Sequence, residues 1–123
     1  MKMTNLDIYN TSVVLDNAFN QLNVTLPIRV GFYLQKNLAT LREMAKEIDD
    51  IRLNILRTYG TLSEDGSQYV INDPEKLDLA QKEFSDLFAL EQEVSIYKIG
   101  VDKFPDDIGL TPAQMGYLMF MLE

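Results

Sequence analysis

The stretch from Leu26 to Gly60 constrains this chain more than any other. Leu34, Leu38, Leu41, Ala45, Ile48, Ile55 and Tyr59 recur on an alternating four-three ladder, broken only where Arg52 takes an apolar slot. That is the period of a helix with one oily side. Val30, Met44 and Ile51 widen the stripe, while Glu43, Lys46, Glu47, Asp49 and Asp50 take the opposite face. The stripe therefore has the breadth of a globular core and not that of a two-stranded coiled-coil seam. Pro27 suits a first helical turn, and Gly60 suits the position past the end, where the chain turns left-handed. Such a helix runs to roughly 50 Å, against a radius of gyration of about 14 Å for a compact chain of this size. The remaining residues are thus expected to leave part of the rod uncovered: it bends near Gly31 or Ala45, or one end protrudes and a partner buries it. Leu53 and Leu56, near its C-terminal end but off the main ladder, are candidates for that interface.

The flanking segments read as material laid against the rod. Asn5 to Tyr9 alternates weakly and predicts a short edge strand. Ser12 caps a short helix with Leu15, Ala18, Phe19 and Leu22 on one face, ending at Asn23; Val24 to Leu26 connects it to Pro27. After Gly60 the period changes. Thr61-Leu62 and Tyr69-Val70-Ile71 flank an Asp65-Gly66 pair, a hairpin signal because both central residues can adopt positive φ. Asp73-Pro74-Glu75 then starts a helix, with Asp73 as cap, Pro74 at the first position and Glu75 in the first turn. Its seam is Leu77, Ala80, Phe84, Leu87 and Val94, broadened by Phe88, with Glu91 in the polar slot where it faces Arg52. A short hairpin between two long helices makes them antiparallel. Val94 to Val101 has the β-branched and aromatic content of a strand, and its natural partner is the hairpin. Asp102 to Gly109 is a polar loop. Thr111-Pro112-Ala113-Gln114 is a capping box, with Leu110 and Met115 as a hydrophobic staple. The helix it opens has almost no polar side, so Met115, Tyr117, Met119, Phe120 and Met121 are the second set of candidate interface residues.

Composition matters here chiefly for what it removes. The chain has 123 residues, the length of one domain over residues 1–123, and no histidine or cysteine. The commonest general base, the usual nucleophile-base pairs, disulfides and thiolate metal sites are therefore absent. No Gly-Lys-Ser/Thr ending follows a glycine-rich loop and no GxGxxG follows a strand. Asp102, Asp106 and Asp107 match no calcium-loop spacing and read as a solvated loop. Arg42 and Arg52 are the side chains expected to meet a phosphate, if a cleft forms on the long helix. A net charge of −8 repels phosphate backbones and anionic lipid, which speaks against direct nucleic-acid and membrane binding. One continuous acidic ridge would imitate a nucleic acid, but the acidic clusters are interleaved with Lys and Arg. No run of about 18 apolar residues and no apolar signal-peptide centre occurs, so a cytoplasmic protein is expected.

Leu26-Pro27-Ile28-Arg29-Val30, Asp65-Gly66, Ile96-Tyr97-Lys98-Ile99 and Leu110-Thr111-Pro112-Ala113-Gln114 together resemble a family of small uncharacterised proteins encoded by tailed phages and prophages. That resemblance spans nearly the whole chain and implies the cytoplasm of an infected bacterium; it supplies no site residues. The expected fold is α+β and mostly helical, an antiparallel pair of long helices with short terminal helices and a small antiparallel β-sheet. The expected function is non-catalytic: a phage-encoded accessory protein that binds a host or phage protein, inhibiting a host factor, with no cofactor and no metal. The alternatives are a virion or assembly component that self-associates into a homo-oligomer, and a small-molecule binder that holds an anionic nucleotide.

Overall fold

In the computed structural model, which describes residues 1–20, 26–104 and 109–123, the organising helix is continuous. It is α2, Ile28–Tyr59, 32 residues long, which corresponds to about 48 Å. The other helices are α1 (Asn5–Asn20), α3 (Pro74–Ala89) and α4 (Pro112–Leu118). Four short strands, β1 (Lys2–Thr4), β2 (Thr61–Leu62), β3 (Tyr69–Val70) and β4 (Glu91–Glu93), form two separate two-stranded antiparallel ladders, β1 with β4 and β2 with β3. The architecture is α+β and mostly helical, with α2 and α3 packed antiparallel.

The ladder of α2 faces inward as its periodicity requires. Leu34, Leu38, Leu41, Ala45, Ile48 and Ile55 are all buried, and Arg52 folds back to donate from Nε to Asp49 Oδ1 at 2.8 Å. Two apolar clusters lie end to end along this face. Leu41, Ile48 and Ile55 meet Ile8 of α1, Ala80 and Leu87 of α3, Met3 and Val94. Val30, Leu34 and Leu38 meet Leu15 of α1, Ile99, Leu118 and Met121. Because Ile8 belongs to the first and Leu15 to the second, α1 runs back along α2. The expectation that part of the rod stays uncovered is corrected for its inner face, which is covered from Val30 to Ile55, since the other elements follow one another along it instead of gathering at its middle. On the outer side of its first turn Ile28 is 92% exposed.

Several local expectations are also corrected. Helix α1 begins at Asn5, where a strand was expected, and Thr4, not Ser12, caps it: Asp7 N–H donates to Thr4 Oγ1 at 3.1 Å. The buried stripe of α1 includes Asn5, Thr11 and Ser12, and these polar members disguise the helical period. Its expected end at Leu22 and Asn23 lies outside the described residues. Gly60 is extended, with φ −107°, so it is not there for a left-handed turn; a Cβ would stand 2.7 Å from the Leu56 carbonyl oxygen and 3.2 Å from that of Val70. In the β2–β3 hairpin only Gly66 has positive φ, at 70°, while Asp65 Oδ1 accepts from the Ser63 and Ser67 hydroxyls and the Ser67 N–H.

Helix α3 starts as expected, with Asp73 accepting from Glu75 N–H at 2.9 Å, but it ends at Ala89. Glu91 sits in β4 opposite Thr4 and does not face Arg52. The segment Val94 to Val101 is not a strand of the hairpin sheet. Its Tyr97 backbone is instead satisfied by a side chain: Tyr97 N–H donates to Asn37 Oδ1 at 2.8 Å and Asn37 Nδ2 donates to the Tyr97 carbonyl at 2.9 Å. Two residues on, Ile99 makes a single parallel bridge to Leu122. Asn37 is fully buried on the core side of α2, so it does for this segment what a neighbouring strand would do.

Candidate surface at the exposed end of helix α2

Of the residues singled out in the sequence, Met115, Phe120 and Met121 share the second cluster, while Leu53 and Leu56 belong to neither. Leu53 and Leu56 are half-buried on α2, and Met115 and Phe120 are half-buried against the second cluster. Met121 is removed from the candidates, because its side chain is fully buried and accepts from Asn37 Nδ2. Tyr117 and Met119 remain exposed, Met119 at 66%. The capping box forms as expected, with Gln114 N–H donating to Thr111 Oγ1 and Thr111 N–H to Gln114 Oε1. It opens a single short helix that becomes a 3-10 turn at Met119–Met121; Met121, three residues after buried Leu118, shares its inner face, and Met119 faces out. Neither arginine expected to meet a phosphate lies free in a cleft: Arg42 pairs with Asp16 at 2.6 Å, and Arg52 with Asp49. Asp106 and Asp107 of the expected acidic loop lie outside the described residues. Among the described residues no cluster of carboxylates is placed to hold a metal ion, and no helix is long and apolar enough to cross a membrane.

The structure draws attention to the other end of α2. Ile28, Phe32 and Lys36 follow one another at four-residue spacing on the side away from the core, all exposed, with the Lys36 ammonium 5.5 Å from the centre of the Phe32 ring. Phe32 meets Tyr33 edge-on at 5.9 Å, and Tyr33 stacks on Tyr97 at 5.2 Å with the rings 12° apart. Aromatic pairs of this kind contribute about 1 kcal/mol each beyond the area they bury. Tyr97 is nonetheless 52% exposed. The stack is held from below by Asn37, whose amide fixes the Tyr97 backbone, so a water-facing aromatic surface is anchored by a dry hydrogen-bonded side chain.

Beside the stack lies a cleft of about 230 Å³. Val30, Tyr33 and Ile99 supply apolar walls, and Arg29, Lys98 and Lys103 bring three cations to its margin. Lys98 is held in place, its ammonium donating to the Phe120 carbonyl at 2.6 Å; two N–H donors remain for another group. The first turn of α2 forms one side of the cleft, and among the described residues no side chain caps that helix end at Pro27. Sequence reading missed this surface because Ile28 and Phe32 lie off the core ladder. The available signals were two large apolar residues on the wet face of an amphipathic helix and an asparagine, Asn37, within the oily stripe. No protein-family model, no curated protein and no solved structure matches the chain.

Proposed function

We propose that this is a non-catalytic accessory protein that acts by binding another protein, and that the N-terminal end of α2 together with Tyr97 is the face it uses. One observation carries the reading: exposed Ile28, Phe32 and Tyr97 flank half-buried Tyr33 in an aromatic and aliphatic surface in which helix α2 orders the backbone of Ile28, Phe32 and Tyr33 and Asn37 fixes that of Tyr97. Interface cores are enriched in aromatic residues and arginine, and anchors that are ordered before binding lose little freedom on association. A chain without histidine or cysteine supports a role in contact and not in reaction. The resemblance to phage and prophage proteins supports an infected bacterium as the setting and a host or phage protein as the partner, with inhibition by occupation of its surface as the consequence.

The test is affinity capture from infected and uninfected lysate with the parent chain and with Ile28→Asp/Phe32→Asp as baits. A partner retained by the parent, lost by the double variant and kept by Met119→Asp is the expected result. Turnover of a substrate by the purified chain without any partner would defeat the proposal. Exposure of Tyr117 and Met119 favours a second reading, self-association as an assembly component. A concentration-dependent mass in solution that Met119→Asp abolishes would establish it in place of the first.

A further inference from the structure

We infer that the cleft beside the Tyr33–Tyr97 stack receives a short acidic segment of the partner, one apolar side chain of which seats against Val30, Tyr33 and Ile99 while flanking carboxylates meet Arg29, Lys98 and Lys103. This deepens the protein-binding reading and rests on it.

Charge is the first argument. Acidic residues outnumber basic ones in this chain by 19 to 11, yet among the described residues the lining of this cleft carries three of the 11 cations and one carboxylate, Glu123, with Asp102 beside Lys103 at 3.9 Å. Lys36 lines the neighbouring depression with Tyr97, so cations stand on both sides of the stack. A local excess of positive charge on an acidic chain selects and orients an acidic partner while the rest of the chain repels it. The second argument is preorganisation, since the Phe120 carbonyl tethers the Lys98 ammonium and the first turn of α2 adds a weak positive end to the same wall. Size is the third. Sites that enclose a drug-sized molecule run to about 300–1,000 Å³, whereas this one offers about 230 Å³. That suits a single side chain entering from a chain lying across the opening, and it is too small to enclose a whole nucleotide.

The experiment is fluorescence anisotropy on the purified full chain with a fluorescein-labelled peptide Glu-Asp-Phe-Asp-Glu. Two control peptides replace its acidic residues by lysine or its phenylalanine by serine. Saturable binding of the acidic peptide is expected, weakened about tenfold or more by raised salt, and by about the same factor in Arg29→Glu/Lys103→Glu. Both residues are exposed, so this variant should keep the parent's circular dichroism. Lys82→Glu on the exposed face of α3 should bind as the parent does. Equal binding of the lysine peptide, indifference to the charge reversal, or displacement of the peptide by micromolar AMP would overturn the inference, the last by making the site one for nucleotides. Absence of peptide binding while lysate capture still depends on Phe32 removes the acidic segment and leaves the protein-binding reading standing; failure of both removes both.

Discussion

Replacing Asn37 is the perturbation that separates the present account of the surface from a simpler one in which Tyr97 merely lies on the protein. Asn37 joins α2 to a segment sixty residues away through two hydrogen bonds to one residue's backbone, at 2.8 and 2.9 Å. Each contributes about 0.5–1.5 kcal/mol net, and leaving the Tyr97 N–H and carbonyl short of partners adds to the loss. Asn37→Ala should therefore destabilise the fold by about 2–3 kcal/mol, a large part of a total that is commonly 5–15 kcal/mol. For a chain of this length that is a fall in Tm of about 10 °C. Asn37→Leu fills the space and still leaves both backbone groups unsatisfied, so it should be nearly as damaging.

Asn37→Asp adds a direction. At a fully buried position the charged carboxylate is disfavoured, which puts the folded pKa above the unfolded value of about 4. The protonated acid can also donate to the Tyr97 carbonyl. Its deficit relative to the parent at the same pH should thus be smallest below about pH 4 and grow as the pH rises through that range. Urea unfolding followed by far-ultraviolet circular dichroism measures all three variants. If Asn37→Ala lies within about 0.5 kcal/mol of the parent, as an ordinary surface substitution does, the clamp carries no weight and the surface is not held in advance.

Three further outcomes are expected. Met121→Ala should cost about 2–5 kcal/mol in the same assay, and Met119→Ala, whose side chain is 66% exposed, under about 0.5 kcal/mol; similar losses at both would mean the last turn is oriented otherwise. Gly60→Ala should destabilise by about 1–3 kcal/mol because its Cβ meets two carbonyl oxygens, while Gly31→Ala, within α2 and with nothing near its Cβ, should stabilise by about 0.5–1 kcal/mol. The hydroxyls of Ser63 and Ser67, with the Ser67 N–H, hold the Asp65 carboxyl down to about 2. Because the folded value is depressed, the turn's contribution is present above the unfolded value and lost as the pH falls toward 2. Carboxyl-carbon NMR titration should place the midpoint there and return it toward about 4 in Ser63→Ala/Ser67→Ala.

The sequence by itself determined whatever depends on neighbours within a turn or two. The inner face of α2 from Leu34 to Ile55, the Asp73-Pro74-Glu75 start of α3, the hairpin around Gly66 and the Thr111 capping box follow from helical period, cap chemistry and turn chemistry, and each is where the sequence reading put it. The Thr4-x-x-Asp7 spacing that opens α1 belongs to the same class, although the polar stripe behind it hid the helix. Tertiary structure alone decided the rest. Glu91–Glu93 is a strand only because Lys2–Thr4 lies beside it; nothing in Glu-Gln-Glu favours one. Val94 to Val101 has strand composition and no strand partner, since Asn37 and Leu122 reach its backbone first. That the rod's inner face is covered from Val30 to Ile55 was likewise settled by how the other elements line up along it. Such contacts join residues far apart in the chain, so their outcome depends on competition among alternative partners, which no local pattern records.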